Sequence, residues 1–254
     1  MYEMGNSLNE EQVVKKIDML TFKIVINKVK EFLDSKNEAV AILQEIPFKC
    51  NIDGFNEHIL FSEFFEFFPD DKYVMLYNIS SKSQIKMTVV LAKKMGLEEL
   101  IYRKNNELNN NMCVSFGIKD LDLSIIGVHP HNANELLKWL QVGGFPDIML
   151  GDFNAGDYKK RCEDSMFKVN RDNYRKLISG YTDICKGQMT RRTVFSNGFV
   201  YETPIDHVLI KNSSELTKKY QCKNVKIEIN EDNVSDHYPI YFKLLCLDEV
   251  DKSQ

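Results

Sequence analysis

The sequence predicts an α+β chain of four layers, an α/β sandwich in which two mixed β-sheets pack face to face with helices outside. Three observations carry that expectation. Strand-like apolar runs outnumber helical segments along the 254 residues. The helices fall between strands rather than in one block. No Gly-, Ser- or Pro-rich stretch divides the chain, so 1–254 reads as a single domain, with the last few residues a tail. A hydrophobic content of 43% and a charged content of 28% are ordinary for a globular protein.

Each element follows from its spacing. Residues 9–36 carry apolar side chains at 13, 17, 20 and 24, then at 25, 26, 29, 32 and 33, which is helical spacing. The short apolar run 39–46 is stopped by Pro47 and reads as a buried strand. The Phe- and Glu-rich segment 55–68 suggests a helix or a packed loop. Runs 73–77, 85–92, 112–118 and 121–129 read as strands, the last two joined tightly across Lys119-Asp120. Residues 132–141 are helical and carry the only tryptophan, Trp139. A strand ending at Asp152 follows, then a polar helix over about 169–179. Shorter strands are expected at 193–195, 204–210, 225–229 and 238–245.

Net charge is −4, but between residues 159 and 226 there are 15 Lys and Arg against 7 Asp and Glu. That stretch sums to +8 and the remainder to −12. A basic half facing an acidic remainder suits an anionic substrate on one side, and equally suits simple solvation. The six cysteines, Cys50, Cys113, Cys162, Cys185, Cys222 and Cys246, form no C-x-x-C pair, which argues against a zinc site. With no signal peptide at the start, reduced thiols in the cytoplasm are expected. No apolar run approaches the roughly 18 residues a membrane-spanning helix needs, so no membrane insertion is expected.

The chemistry is concentrated where strands end. In Asp147-Ile148-Met149-Leu150-Gly151-Asp152-Phe153-Asn154, an apolar run gives way to a carboxylate and an amide two residues apart, on one side of an extended backbone. Gly151 lets the main chain pass close to whatever they hold. Taken alone, a strand end closed by an Asx-turn accounts for the segment equally well. Four other segments repeat the pattern: Gln44-Glu45, His129, Asp206-His207 and Ser235-Asp236-His237. Together they supply the groups for metal-assisted phosphodiester cleavage, in which charge must be neutralised, a nucleophile generated and a pentacoordinate transition state stabilised. Hard oxygen ligands suit Mg²⁺.

This set resembles the endonuclease/exonuclease/phosphatase superfamily, the deoxyribonuclease I-like fold. The matching segments are Leu43-Gln44-Glu45, Val128-His129, Gly151-Asp152-Phe153-Asn154, Ile205-Asp206-His207 and Ser235-Asp236-His237, in order over about residues 40 to 245. The resemblance implies that Glu45 binds a divalent metal, Mg²⁺ or Mn²⁺, and that Asp236 supports a metal position. Asp152 would orient or deprotonate the attacking water, and Asn154 would hold a phosphate oxygen. His237 would contact the scissile phosphate with Asp206 as its carboxylate partner. His129 would be the second phosphate-facing histidine, preferred over His131 because Pro130 ends the strand between them. His58 and His207 carry no motif and read as surface or packing residues. The family's first strand usually ends in an aromatic residue and a metal-site asparagine. Here Tyr2-Glu3 stands in that place, so Glu3 would replace the asparagine, with Asn6 the less favoured substitute.

The implied activity is divalent-metal-dependent phosphodiester hydrolysis, with a nuclease on DNA or RNA leading. Lys159, Lys160, Arg161, Arg171, Arg175, Arg191 and Arg192 could line a groove for a phosphate backbone. The alternatives are a phosphatase of inositol phosphates or other small phosphoesters, and a catalytically silent binding member of the same fold.

Overall fold

The computed structural model describes residues 19–51, 54–56, 59–79, 85–104, 110–157, 165–194, 196–229 and 235–247. Helix α1 (Met19–Asp34) leads into β1 (Val40–Pro47), the short hairpin β2 (Lys49–Asn51) and β3 (Gly54–Asn56), and α2 (Ile59–Phe67). Strands β4 (Tyr73–Tyr77), β5 (Lys86–Lys93), β6 (Ile101–Arg103), β7 (Cys113–Ile118) and β8 (Ile125–Val128) follow. Helix α3 (Ala133–Gly143) precedes β9 (Ile148–Asp152) and α4 (Ser165–Leu177). The chain continues through β10 (Tyr181–Asp183), β11 (Arg191–Val194), β12 (Val200–Thr203) and β13 (Asp206–Lys211). It closes with α5 (Ser214–Lys219), β14 (Tyr220–Ile227) and β15 (Ile240–Cys246).

Two sheets dominate. One has the order β1-β5-β4 and is antiparallel throughout its described residues. The other has the order β10-β13-β9-β8-β7-β6 and is mixed, through the parallel pair β8 and β9. Three apolar clusters separate four layers. Helices α1 and α2 pack Ile26, Leu33, Phe61 and Phe64 against Met87, Val89 and Leu91 on one face of β5. The opposite face, through Val90 and Ala92, meets Val114, Phe116, Ile125 and Ile148 of the larger sheet. Beyond that sheet, Cys113, Ile126, Met149 and Leu209 meet Leu136 and Leu140 of α3 and Tyr174 and Leu177 of α4. β5 is thus buried on both faces, which is why its sequence is a continuous apolar run rather than an alternation. The β14–β15 hairpin adds Tyr220, Ile227, Ile240 and Leu244 to the middle layer.

The connection after β7 is wider than a tight hairpin. Asp120 turns the chain at φ 62, and the strand does not resume until Ile125. The Ser124 N–H and hydroxyl both donate to Asp147 Oδ2, at 2.8 and 2.7 Å. That anchors Ser124 to the approach of β9, while Leu121 still donates its N–H to the Ile118 carbonyl of β7 at 3.1 Å. Among the described residues, Cys113, Cys185, Cys222 and Cys246 are free thiols, and no helix is long and apolar enough to cross a membrane.

Candidate active site

The site begins with a defect in β1. Its register against β5 shifts between Leu43 and Ile46, and Glu45 sits there at φ 59. A non-glycine residue in the left-handed region is held only where its surroundings insist on it. The bulge lets adjacent residues serve different partners. Gln44 reaches across to the other sheet, where its Nε2 donates to the Val128 carbonyl at 2.5 Å and its Oε1 accepts from the Asp152 N–H at 2.9 Å. One carboxamide thereby ties β1 to the ends of both β8 and β9. Gly151 makes room for it. At φ 140, a methyl group there would collide with Gln44 Nε2 and the Val128 oxygen.

The turn after β9 is tied down at almost every polar group. The Phe153 N–H donates to the Ile205 carbonyl at 2.8 Å, and the Asn154 N–H to Asp152 Oδ1 at 2.7 Å. Asn154 stands at φ 47, its Nδ2 donating to the Pro130 carbonyl at 2.9 Å. β13 runs antiparallel alongside, with Asp206 opposite Asp152. Both carboxylates are buried, at 4% and 8% exposure. Thr190 Oγ1 fixes the start of β13, accepting from the N–H groups of Ile205 and Asp206 at 3.1 and 2.9 Å.

Two histidines join these groups into one site. His237 Nδ1 lies 2.9 Å from Asp206 Oδ2, and its Nε2 lies 3.8 Å from Asp152 Oδ2. His129 Nε2 lies 3.5 Å from the same Asp152 oxygen and 3.7 Å from Glu45 Oε1. Lys86 Nζ, from the neighbouring strand, approaches Glu45 Oε2 at 2.6 Å. The half-exposed Glu45, the buried His129 and Asp152, and the His237–Asp206 pair therefore form a continuous chain of contacts. His129 Nδ1 is buried with no hydrogen-bond partner.

Environment gives these groups different protonation preferences. Burial, reinforced by the Asp206 carboxylate, pushes Asp152 up to about 7. Burial acts against a charged His237, but its hydrogen bond and attraction to Asp206, together with Asp152, outweigh that and raise it to about 9. Burial lowers His129 to about 4, against the pull of Glu45. Glu45 is lowered: burial resists ionisation, but the Lys86 ammonium outweighs it. At neutral pH the site thus holds a cationic imidazole, a neutral imidazole and a carboxyl poised to exchange a proton.

The remaining candidates stand as follows. Asp236 accepts from Arg191 Nε at 2.8 Å and lies 4.0 Å from His237 Nε2. His131 is exposed, with its backbone N–H on Glu135 Oε2, and is not in the cluster. His207 is buried at 1% exposure, on the face of β13 away from Asp206. Glu3, Asn6, His58, Lys159, Lys160 and Arg161 lie outside the described residues. Arg171 and Arg175 pair with Asp172 and Asp157. Reading the sequence for strand ends missed Lys86 and Thr190, while Arg191, expected only as a groove-lining cation, is paired with Asp236 at the site. Lys86 opens β5 rather than closing a strand, and Thr190 bears no charge. Gln44 was visible only as the neighbour of Glu45.

Asp152, Asp206 and His237 present ligand atoms within 4.8 Å of one another, a grouping that could take a metal ion only with the His237 ring deprotonated. Glu45 and Asp236 add further carboxylates at its edge. The set is dominated by hard oxygen donors and contains no thiolate, which fits a hard divalent cation better than zinc.

No protein-family model matches the chain, and no curated protein matches it significantly. Solved structures do. The endonuclease domain of TRAS1, a telomere-specific non-LTR retrotransposon, is 13% identical with TM-score 0.54, over 90% of this chain and 92% of that one. Humanized D. rerio TDP2 bearing 14 mutations is 15% identical with TM-score 0.56, over 90% and 94%. An endonuclease/exonuclease/phosphatase family protein from Bacteroides thetaiotaomicron is 12% identical with TM-score 0.52, over 88% and 89%. The chain has the endonuclease/exonuclease/phosphatase fold.

Proposed function

We propose that this protein is a divalent-metal-dependent phosphodiester hydrolase acting on DNA or RNA. The observation that carries the reading is His237, held on Nδ1 by Asp206 and facing Asp152 with Nε2. A protonated imidazole beside a carboxylate with a raised pKa suits phosphodiester hydrolysis, one group accepting the proton of water and the other stabilising the growing charge. Asp152 takes a proton from water as the water oxygen forms its bond to phosphorus. His237 donates a hydrogen bond to a phosphate oxygen as negative charge grows there, and as the bond to the leaving oxygen breaks that oxygen takes a proton from solvent. Neutral His129 and the Asn154 carboxamide offer further polar contacts to the phosphate.

Glu45, with Asp236 and the Glu3 position in support, would hold Mg²⁺ or Mn²⁺. When bound, such an ion neutralises phosphate charge. A nucleic-acid substrate is supported by the basic stretch between 159 and 226, with Arg191 at the edge of the site, and by a likeness to a protein named as an endonuclease. The four described free cysteines are compatible with the cytoplasm. The test is a panel of plasmid DNA, single-stranded RNA and inositol phosphates, each with Mg²⁺, Mn²⁺ or EDTA. Metal-dependent cleavage of either nucleic acid is expected. Hydrolysis of inositol phosphates alone would replace the substrate class, and no turnover on any of them would leave a binding protein.

A further inference from the structure

Beneath the 152–156 turn lies a second buried cluster that the chemistry above does not use. His207 Nε2 lies 2.8 Å from the Ala155 carbonyl oxygen, which can only accept, so Nε2 carries the proton. On the other side of the ring, Nδ1 lies 3.0 Å from both Asp183 Oδ2 and the Tyr174 hydroxyl. The Tyr174 hydroxyl itself is 3.1 Å from Asp183 Oδ2, and Asp183 Oδ1 accepts from the Cys185 N–H at 2.9 Å. The ring is wedged edge-on against Phe153, centroids 5.3 Å apart, and lies 4.5 Å from the ring of Tyr174. One residue earlier, Asn170 Nδ2 donates to the Asn154 carbonyl at 2.8 Å.

Two successive carbonyls of the turn are therefore gripped by side chains from below. Packing alone does not call for this set, since buried polar clusters are often replaced by apolar residues of similar volume at no cost to stability. What the set does is aim the turn: asparagine tolerates φ 47 but does not by itself enforce it, and the grip on the Asn154 and Ala155 carbonyls holds the turn in that one conformation. We propose that His207 is a positioning residue: through the Ala155 carbonyl, with Asp183 and Tyr174 orienting its ring, it fixes the Asp152–Asn154 turn in its working geometry. The proposal rests on the reading of Asp152 and Asn154 as the working face of the site.

The experiment compares His207→Phe, His207→Asn and His207→Gln with wild type. Glutamine carries an amide nitrogen where imidazole carries Nε2, and asparagine where it carries Nδ1. With bis(p-nitrophenyl) phosphate as probe, His207→Phe and His207→Asn should lose about 10- to 100-fold in kcat, the scale of a misplaced catalytic group. KM should stay within about twofold, and His207→Gln should recover most of the loss. Hydrogen exchange of the 152–156 amides, read on the same variants, should accelerate in Phe and Asn and return in Gln. Equal kcat and exchange in all four proteins overturns the proposal, as does a Gln variant no better than Phe. Should His207→Phe not fold, Tyr174→Phe removes only the hydroxyl and should show a smaller loss of the same kind; no change in either readout overturns the proposal. A wild type inactive on every substrate removes the functional reading, and the exchange arm then decides the positioning role alone.

Discussion

His237 presents Nδ1 to both oxygens of Asp206, at 3.0 and 2.9 Å, which leaves Nε2 as its only free working atom. Each replacement His237→Ala and Asp152→Ala should cut turnover by about 10²–10⁴-fold without unfolding the chain, because neither side chain belongs to the three apolar clusters. Asp206→Asn keeps the shape but loses the charge that stabilises the imidazolium, so it should slow turnover through His237. Its effect should largely vanish in the His237→Ala background. A double-mutant cycle on kcat checks this, and independent losses at 206 and 237 would sink the pairing.

The pH dependence follows from Asp152 near 7 and His237 near 9. Activity needs the first deprotonated and the second protonated, so kcat should rise through about 7 and fall through about 9. Asp206→Asn should pull the falling limb to lower pH. Stability carries its own sign. Both groups have folded values above their ordinary ones, 3.8 for the carboxyl and 6.5 for the imidazole. Each favours the protonated fold, so its contribution is complete below the ordinary value and is lost as pH rises through the folded one. Tm should therefore fall between about pH 3.8 and 7 through Asp152 and between about 6.5 and 9 through His237, the second fall being smaller in His237→Ala.

Much of the fold was legible because β5, β8 and β9 are central strands, whose apolar runs are long enough to stand out. Strands β6 and β10, of three residues each, are too short to establish a period, and their pairing is set by the neighbours β7 and β13. The groups clustered at strand ends were legible as residue types. Their partners were not: Lys86 meets Glu45 only because a bulge between Leu43 and Ile46 resets the β1–β5 register. Likewise His207 looked like packing because it follows Asp206 in sequence, and strand alternation sends the two side chains to opposite faces. Nothing local announces Asp183 and Tyr174, which reach His207 from other elements.

Gly151 and Gln44 should behave as one unit. Gly151→Ala drives a methyl group into the Gln44 amide and the Val128 carbonyl at a backbone angle that L-residues avoid, and should cost roughly 3 kcal/mol. Gln44→Leu orphans the Asp152 N–H and the Val128 carbonyl, each worth about 1–3 kcal/mol if buried without a partner. Gln44→Glu keeps the acceptor but loses the donor and adds a carboxylate beside Asp152. Denaturant unfolding of the two Gln44 variants and of Gly151→Ala, singly and as the two double variants, should show losses well short of additive.

Glu45 is shared between Lys86 and any cation that enters the site. Lys86 Nζ already neutralises Glu45 Oε2 at 2.6 Å, with His129 standing 3.7 Å from the other oxygen. A divalent ion binding at Glu45 must therefore displace the lysine or share the carboxylate with it. Glu45→Gln removes a ligand charge and should raise the Mg²⁺ concentration needed for half-maximal rate. Lys86→Gln removes the competitor and should move binding the opposite way. The Lys86 pair is half-exposed and so weak by itself, worth about 0–1 kcal/mol. The tightening should accordingly stay within about fivefold, the ratio that a stabilisation of about 1 kcal/mol sets. Titration with Mn²⁺, followed by the loss of its free-ion electron paramagnetic resonance signal, reads both effects without any substrate. Full activity of Glu45→Gln at low Mg²⁺, or weaker Mn²⁺ binding in Lys86→Gln, would remove Glu45 as the shared ligand.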